Sequence, residues 1–274
     1  MAWIKTLMRD HKWLMDSNSM ASLHSGPFIV SKYHIPDCDV QSLKCSACLC
    51  AKATSRTTKL KSSTVKPTKN NVLKRLHLVP GRCMLVDHYF SPKMGRLPHT
   101  FGRERIGYSC GTLFVDHASG KLFNFCQYSN NATETIQSKR RLESLAKQEG
   151  IKIHKFHADN GIFASKEFKD DCASMGQIYS FSGVGAHHQN GVAERNTKTL
   201  AQLALANMLH LAHHWPSQAN VRFWPQAIEY SIWVFNRLPH QTTGLSPNKL
   251  WSSCRALTEK NQSRTCVWLS GLCS

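Results

Sequence analysis

The chain reads as a mixed α/β domain, a sheet carrying helices on its faces, preceded by a small segment and a basic linker. Three observations predict it. From about residue 80 onward, short apolar or alternating runs recur between turn residues. Longer stretches with helical periodicity are interleaved with them, and these carry their own start signals. The resulting order, βββαβαβαα, suits a mixed sheet flanked by helices.

Residues 83–90 (CMLVDHYF), 111–116 (GTLFVD) and 121–127 (KLFNFCQ) read as three strands, the last two joined by a short His-Ala-Ser-Gly turn. A helix follows, with Asn131 as N-cap and Glu134 as its capping-box partner three residues on, ending near Gly150. Residues 151–158 (IKIHKFHA) alternate apolar and basic side chains, the period of a half-buried strand. Ser165 caps the next helix, in which Phe168, Cys172 and Met175 share an apolar face. Residues 177–181 form a short strand, followed by a glycine-rich loop, a long helix over about 189–213 and another over about 217–238. No internal repeat is evident.

The 274 residues include 35 Lys+Arg against 17 Asp+Glu, a net charge of +18, and are 41% hydrophobic. That is enough apolar material for a core, and the cationic surplus points to a polyanionic partner. A membrane is the weaker choice, because the most apolar long stretch, 203–212, is interrupted by Asn207 and His210 and falls far short of a span of ~20 residues. The N-terminal stretch MAWIKTLMRDHKW has no apolar core of a signal peptide, so the eleven cysteines read as intracellular, reduced thiols, some of them candidate metal ligands. Eight basic residues and no acid lie between Ala51 and Arg75, in a Ser/Thr-rich stretch containing Pro67. It reads as an extended linker, either merely solvated or tracking phosphates through residues such as Lys52, Arg56, Lys59 and Lys61.

Three of the few acids occupy informative places. Asp87 lies in the first strand, Asp159 ends the fourth and Glu194 lies in the first turns of the long helix. Strand ends and helix starts are where distant segments of such a sheet converge. Two aspartates and a glutamate are hard oxygen donors suited to Mg²⁺ or Mn²⁺. A pair of such ions about 4 Å apart serves in-line phosphoryl transfer. Asp116, in the second strand, competes with Asp87 for the first position.

The neighbours of these acids carry a resemblance. VDHYF around Asp87, FVDHASG at 114–120, HADNGIF at 157–163, QNGVAER at 189–195, WPQAIEYSIWVFNRLP at 224–239 and GLSPNKLW at 244–251 occur in the order of the integrase segment of copia-type long-terminal-repeat retrotransposon polyproteins. The chain resembles that family over roughly residues 40–253. The resemblance implies an RNase H-like fold with a mixed five-stranded sheet, and a D,D,E triad of Asp87, Asp159 and Glu194 holding Mg²⁺ or Mn²⁺. Residues 160–193 separate the last two acids, one residue fewer than is customary in the family. Lys198, one turn after Glu194, is either a solvated helical lysine or a contact to the phosphate beside the scissile bond. Arg195 and Asn190 are weaker candidates for DNA contact.

Cys45-Ser-Ala-Cys48 resembles the family's zinc-binding Cys pair, but the paired upstream histidines have no counterpart among His11, His24 and His34. Zinc requires four ligands. Cys38 and Cys50 could complete a different site; otherwise the pair is stranded. The expected organisation is a truncated zinc-binding-like segment at 1–50, the basic linker at 51–79, the integrase core at 80–253 and an irregular tail at 254–274. The implied activity is 3′-end processing and strand transfer on element-end and target DNA, by a homo-oligomer in the nucleus. The alternatives are an inactive remnant that only binds nucleic acid, or a hydrolytic nuclease of the same fold.

Overall fold

The computed structural model describes residues 46–52, 79–98, 106–159, 161–182, 191–239 and 244–253. Its sheet comprises β1 (Met84–Gly95), β2 (Tyr108–Asp116), β3 (Leu122–Gln127), β4 (Lys155–Ala158) and β5 (Ile178–Phe181), in the spatial order β3-β2-β1-β4-β5. The first three strands form an antiparallel meander, and β4 and β5 extend it in parallel from β1. This mixed, five-stranded order is the RNase H-like fold. The helices are α1 (Ser46–Lys52), α2 (Ala132–Gln148), α3 (Lys166–Ser174), α4 (Gly191–His214), α5 (Trp224–Phe235) and α6 (247–253).

Alternation along the central strands sorts the core into two layers. Met84, Val86, Phe114, Phe156 and Ala158 face one side, where they pack with Leu142 and Ala146 of α2, Phe168 and Cys172 of α3, and Trp251 of α6. Leu85, Leu113 and Val115 face the other, against Ala193, Leu200 and Ala204 of α4 and Ala227, Ile228 and Ile232 of α5. Each helix therefore covers one face, which is why the strands of this sheet are apolar on both sides.

Local signals behave largely as the sequence leads one to expect. The Asn131 side chain accepts the Glu134 N–H at 2.8 Å, and Gly150 follows α2 at φ 75°, a conformation a side chain disfavours. The Glu134 carboxylate, however, accepts from the Tyr128 and Ser129 N–H groups instead of reaching back to Asn131. Ser165 caps α3 by accepting the Phe168 N–H. Met175 departs from the expected apolar face: it follows the end of α3 and is exposed.

Four boundaries differ. β1 continues past Phe90, through an irregularity, to Gly95, because the Trp224 indole N–H donates to the Lys93 carbonyl and the Arg96 N–H to the Arg222 carbonyl. β4 begins only at Lys155, although Ile151 and Ile153 are buried as their alternation requires. The helix expected from about 217 starts at Trp224, after a short 3-10 turn (Val221–Phe223) capped by Asn220. Pro225 favours a first-turn position because it lacks an N–H. Finally, α1 runs through Ala51 to Lys52, so Lys52 is helical and not part of an extended linker, and Ala51 packs on Ala206 and Leu209 of α4. Among the described residues no helix is long and apolar enough to cross a membrane.

Candidate active site

The sheet brings two of the three candidate acids together by register. β1 and β4 run parallel with Met84 opposite Phe156 and Leu85 opposite His157. Two residues further on, Asp87 stands level with Asp159, just past the end of β4, on strands about 4.8 Å apart. Alternation points both side chains to the face that carries α4. Glu194 lies in the first turn of that helix.

The third acid is tied to the first by its own helix. Thr197, one turn after Glu194, donates its hydroxyl to Asp87 Oδ2 at 2.8 Å. Ala193 and Leu200, at spacings of four and three from Thr197, are buried against the sheet, so the helix presents this hydroxyl inward. Sequence reading missed Thr197. A threonine inside a helix carries no distinctive pattern, and only the i, i+3 spacing to Glu194 hinted at a shared face.

Electrostatics registers the convergence. Burial pushes the Asp87 carboxyl above its ordinary value; the Thr197 hydroxyl and the His88 N–H pull it down, while the negative charges of Glu194 and Asp159 push it up again. Asp87 is half-buried, whereas Asp159 and Glu194 are exposed, so the group opens to solvent on the side where a polymer would approach. Its donors are carboxylate oxygens, and a divalent cation would relieve both the burial and the mutual repulsion of the Asp87 charge. The residues present thus fit a hard cation such as Mg²⁺. Among the described residues no three His, Cys, Asp or Glu side chains are gathered closely enough to form a closed cage, so the acids border an open site.

Asp116 has a different task. It is fully buried and lies opposite Met84, at the start of β1, on the sheet face away from Asp87. Its Oδ1 accepts the Gly81 N–H at 2.9 Å, and its Oδ2 accepts both the N–H and the hydroxyl of Ser119 at 2.7 Å. Gly81 sits at φ 80°, where an added Cβ would meet the Lys152 carbonyl oxygen at 2.7 Å. Asp116 is a tie between loops.

On the other sheet face, behind Asp87, His88 stacks on Phe163 with ring centroids 4.3 Å apart and meets the Thr135 hydroxyl at 3.3 Å. Burial lowers its pKa to about 4, so the ring is neutral at physiological pH. His157, two residues before Asp159, has its Nδ1 2.9 Å from the Ser180 hydroxyl.

The remaining candidates divide by position. Lys198 and Arg195 are exposed on α4 next to Glu194, and Lys52 is exposed at the end of α1. Asn190, Arg56, Lys59, Lys61 and Cys45 lie outside the described residues, as do Gly183 and Gly185 of the expected loop. Cys48 falls within α1.

No protein-family model matches the chain. A curated relative is the retrovirus-related Pol polyprotein from transposon TNT 1-94 of Nicotiana tabacum, a copia-type element, 28% identical over 143 residues. That match covers 51% of this chain and 10% of the polyprotein, so the chain spans about a tenth of the length of this relative. Similar solved structures include the HTLV-2 integrase catalytic core domain in complex with magnesium. Its trimeric form is 21% identical with a TM-score of 0.46, covering 63% of this chain and 97% of that one. Its dimeric form is 22% identical with a TM-score of 0.46, covering 64% and 98%. The simian T-cell lymphotropic virus intasome in complex with PP2A regulatory subunit B56 gamma is 16% identical with a TM-score of 0.48, covering 89% and 73%.

Proposed function

We propose that this relative of a copia-type Pol polyprotein is the catalytic core of a retrotransposon integrase, processing DNA 3′ ends and joining them to target DNA. The observation that carries the reading is the meeting of Asp87, Asp159 and Glu194 on one sheet face, with Thr197 bridging the helix to the strand. Motif order around all three acids agrees with it.

Asp87, Asp159 and Glu194 would hold Mg²⁺ or Mn²⁺. A bound divalent cation supplies stabilisation of charge on the attacking and leaving oxygens of an in-line phosphoryl transfer. The chain's own part is positioning. Thr197 holds one Asp87 oxygen, which leaves Oδ1 turned to the open site. The β1–β4 ladder fixes Asp87 beside Asp159, and the packing of α4 sets Glu194 against both. In the first step water cleaves the phosphodiester near the 3′ end of element DNA. In the second the freed 3′-OH attacks a target phosphodiester, and the target's own 3′-oxygen leaves. Both steps are direct displacements at phosphorus and need no covalent enzyme intermediate. Lys198 and Arg195, exposed beside Glu194, are the nearest cations for the DNA backbone. The +18 charge supports nucleic acid as the partner. An integrase core of this kind works as a homo-oligomer on DNA in the nucleus.

The test is a strand-transfer assay with element-end oligonucleotides and Mg²⁺. Asp159→Asn abolishes joined products, a loss of at least a thousandfold, while DNA binding stays within about threefold of the unmodified chain. Joining that survives this substitution refutes the site. Cleaved but never joined DNA from the unmodified chain indicates the hydrolytic nuclease instead.

A further inference from the structure

At the far end of α4 from Glu194, three histidines gather on one side of the helix. His210 and His214 are one turn apart, with ring centroids 6.0 Å apart and planes within 7° of parallel. His213 lies edge-on to His214 at 5.0 Å, and the His214 ring lies 5.6 Å from that of Trp215. Sixteen residues of helix place this group about 24 Å from Glu194, well outside the acidic site.

We propose that His210 and His214 bind a borderline transition-metal ion of the zinc class, with His213 as an auxiliary donor. Imidazole nitrogens at i and i+4 of a helix project in the same direction. Two imidazoles sharing one ion through bonds of about 2.1 Å have their ring centres about 5–6 Å apart, so the observed separation needs only small side-chain rotations. The pair closes the C-terminal end of a 24-residue helix, where the unsatisfied carbonyls favour positive charge. Burial, and then the neighbouring His214 and His213, lower the pKa of half-buried His210, which favours the neutral, ligating form of its ring. Nitrogen donors select zinc, nickel or copper over Mg²⁺, so the site does not compete with the carboxylates for their ion. The preceding turn of α4 bears Leu209 and Ala206, the seat of α1, so the ion would anchor the end of α4 against which α1 rests.

Zinc binding is measured by calorimetry on the metal-stripped full chain, with excess Mg²⁺ present, in a Cys45→Ser, Cys48→Ser background that removes competing thiolates. One ion binds per chain. His210→Gln and His214→Gln each weaken it at least tenfold, whereas His213→Gln changes it by less than about threefold. Unchanged binding in the doubly substituted His210→Gln, His214→Gln chain overturns the proposal. His214 is exposed, so its single variant tests the site even if His210 proves necessary for folding. As an independent readout, Ni²⁺ quenches the emission of Trp215, and this component disappears in Trp215→Phe. Saturable quenching of equal size in that variant places the ion elsewhere and also overturns the proposal.

Discussion

At the scale of single residues, two side chains separate geometry from chemistry. Thr197 donates to Asp87, and its hydroxyl lowers the pKa of that carboxyl. Thr197→Val keeps the shape and removes the donor, so the Asp87 carboxyl rises further. The acid limb of the pH–rate profile for strand transfer moves to higher pH, and more Mg²⁺ is needed for half-maximal rate. Stability falls by less than about 1.5 kcal/mol, the worth of one such bond. An unchanged pH profile would show that Thr197 does not position Asp87. Asp116 behaves in the opposite way. It is buried and accepts three hydrogen bonds, so Asp116→Asn sets an amide against two N–H groups and a hydroxyl. The expected loss is about 2–4 kcal/mol in urea unfolding, with strand transfer per folded molecule retained. Loss of activity without loss of stability would return Asp116 to the list of ligands.

Among the elements, α2 and α3 are joined by a buried cation. Lys139 is fully buried and pairs with Asp171 at 2.8 Å and Glu143 at 2.7 Å, while Arg140 reaches Asp171 at 2.6 Å. Asp171→Ala leaves Lys139 with one partner in an apolar layer and costs about 3–5 kcal/mol, read as a lower denaturation midpoint. The pairing was not legible in the sequence, because Lys139 and Asp171 are ordinary helical charges until the sheet brings their helices together. Caps were legible, since Asn131 and Ser165 act within three residues of themselves. The late start of α5 had a written cause in Pro225, yet the apolar stretch before it obscured the boundary. The extension of β1 had no local cause at all: Ser91-Pro92-Lys93 lacks strand alternation and is held by hydrogen bonds from residues 222 and 224. The acids themselves were visible by motif, whereas their pairing depends on a parallel register that no local pattern encodes.

For the molecule as a whole, acid acts through groups of opposite sign. His88 titrates near 4 in the fold against about 6.5 unfolded. The unfolded chain therefore takes up a proton that the folded one refuses, and stability is intact above 6.5 and declines from there to about 4. The decline from this group is on the order of 3 kcal/mol. Burial pushes Asp171 up, but Lys139 and Arg140 outweigh it and hold the carboxyl below its ordinary value. Its contribution is present above the ordinary carboxylate range and disappears as pH falls through the lowered one. Asp87 is raised, so its contribution is full in acid and lost as pH rises through its folded value. Urea midpoints between pH 7 and 4 should fall in the unmodified chain and flatten in His88→Phe, which keeps the stack on Phe163. A slope unchanged by that substitution would place the titrating group elsewhere. The parallel ladder between β1 and β4 also has a genetic consequence. Side chains along a strand alternate by parity, so losing one codon within β4 would turn Asp159 away from Asp87 and end catalysis. Losing one codon beyond Asp159 leaves that parity intact, because Glu194 is seated by the packing of α4 and not by its distance along the chain. Single-codon deletions are therefore lethal to the site in one stretch and tolerated in the other, which accounts for a chain that keeps all three acids while running one residue short between the last two.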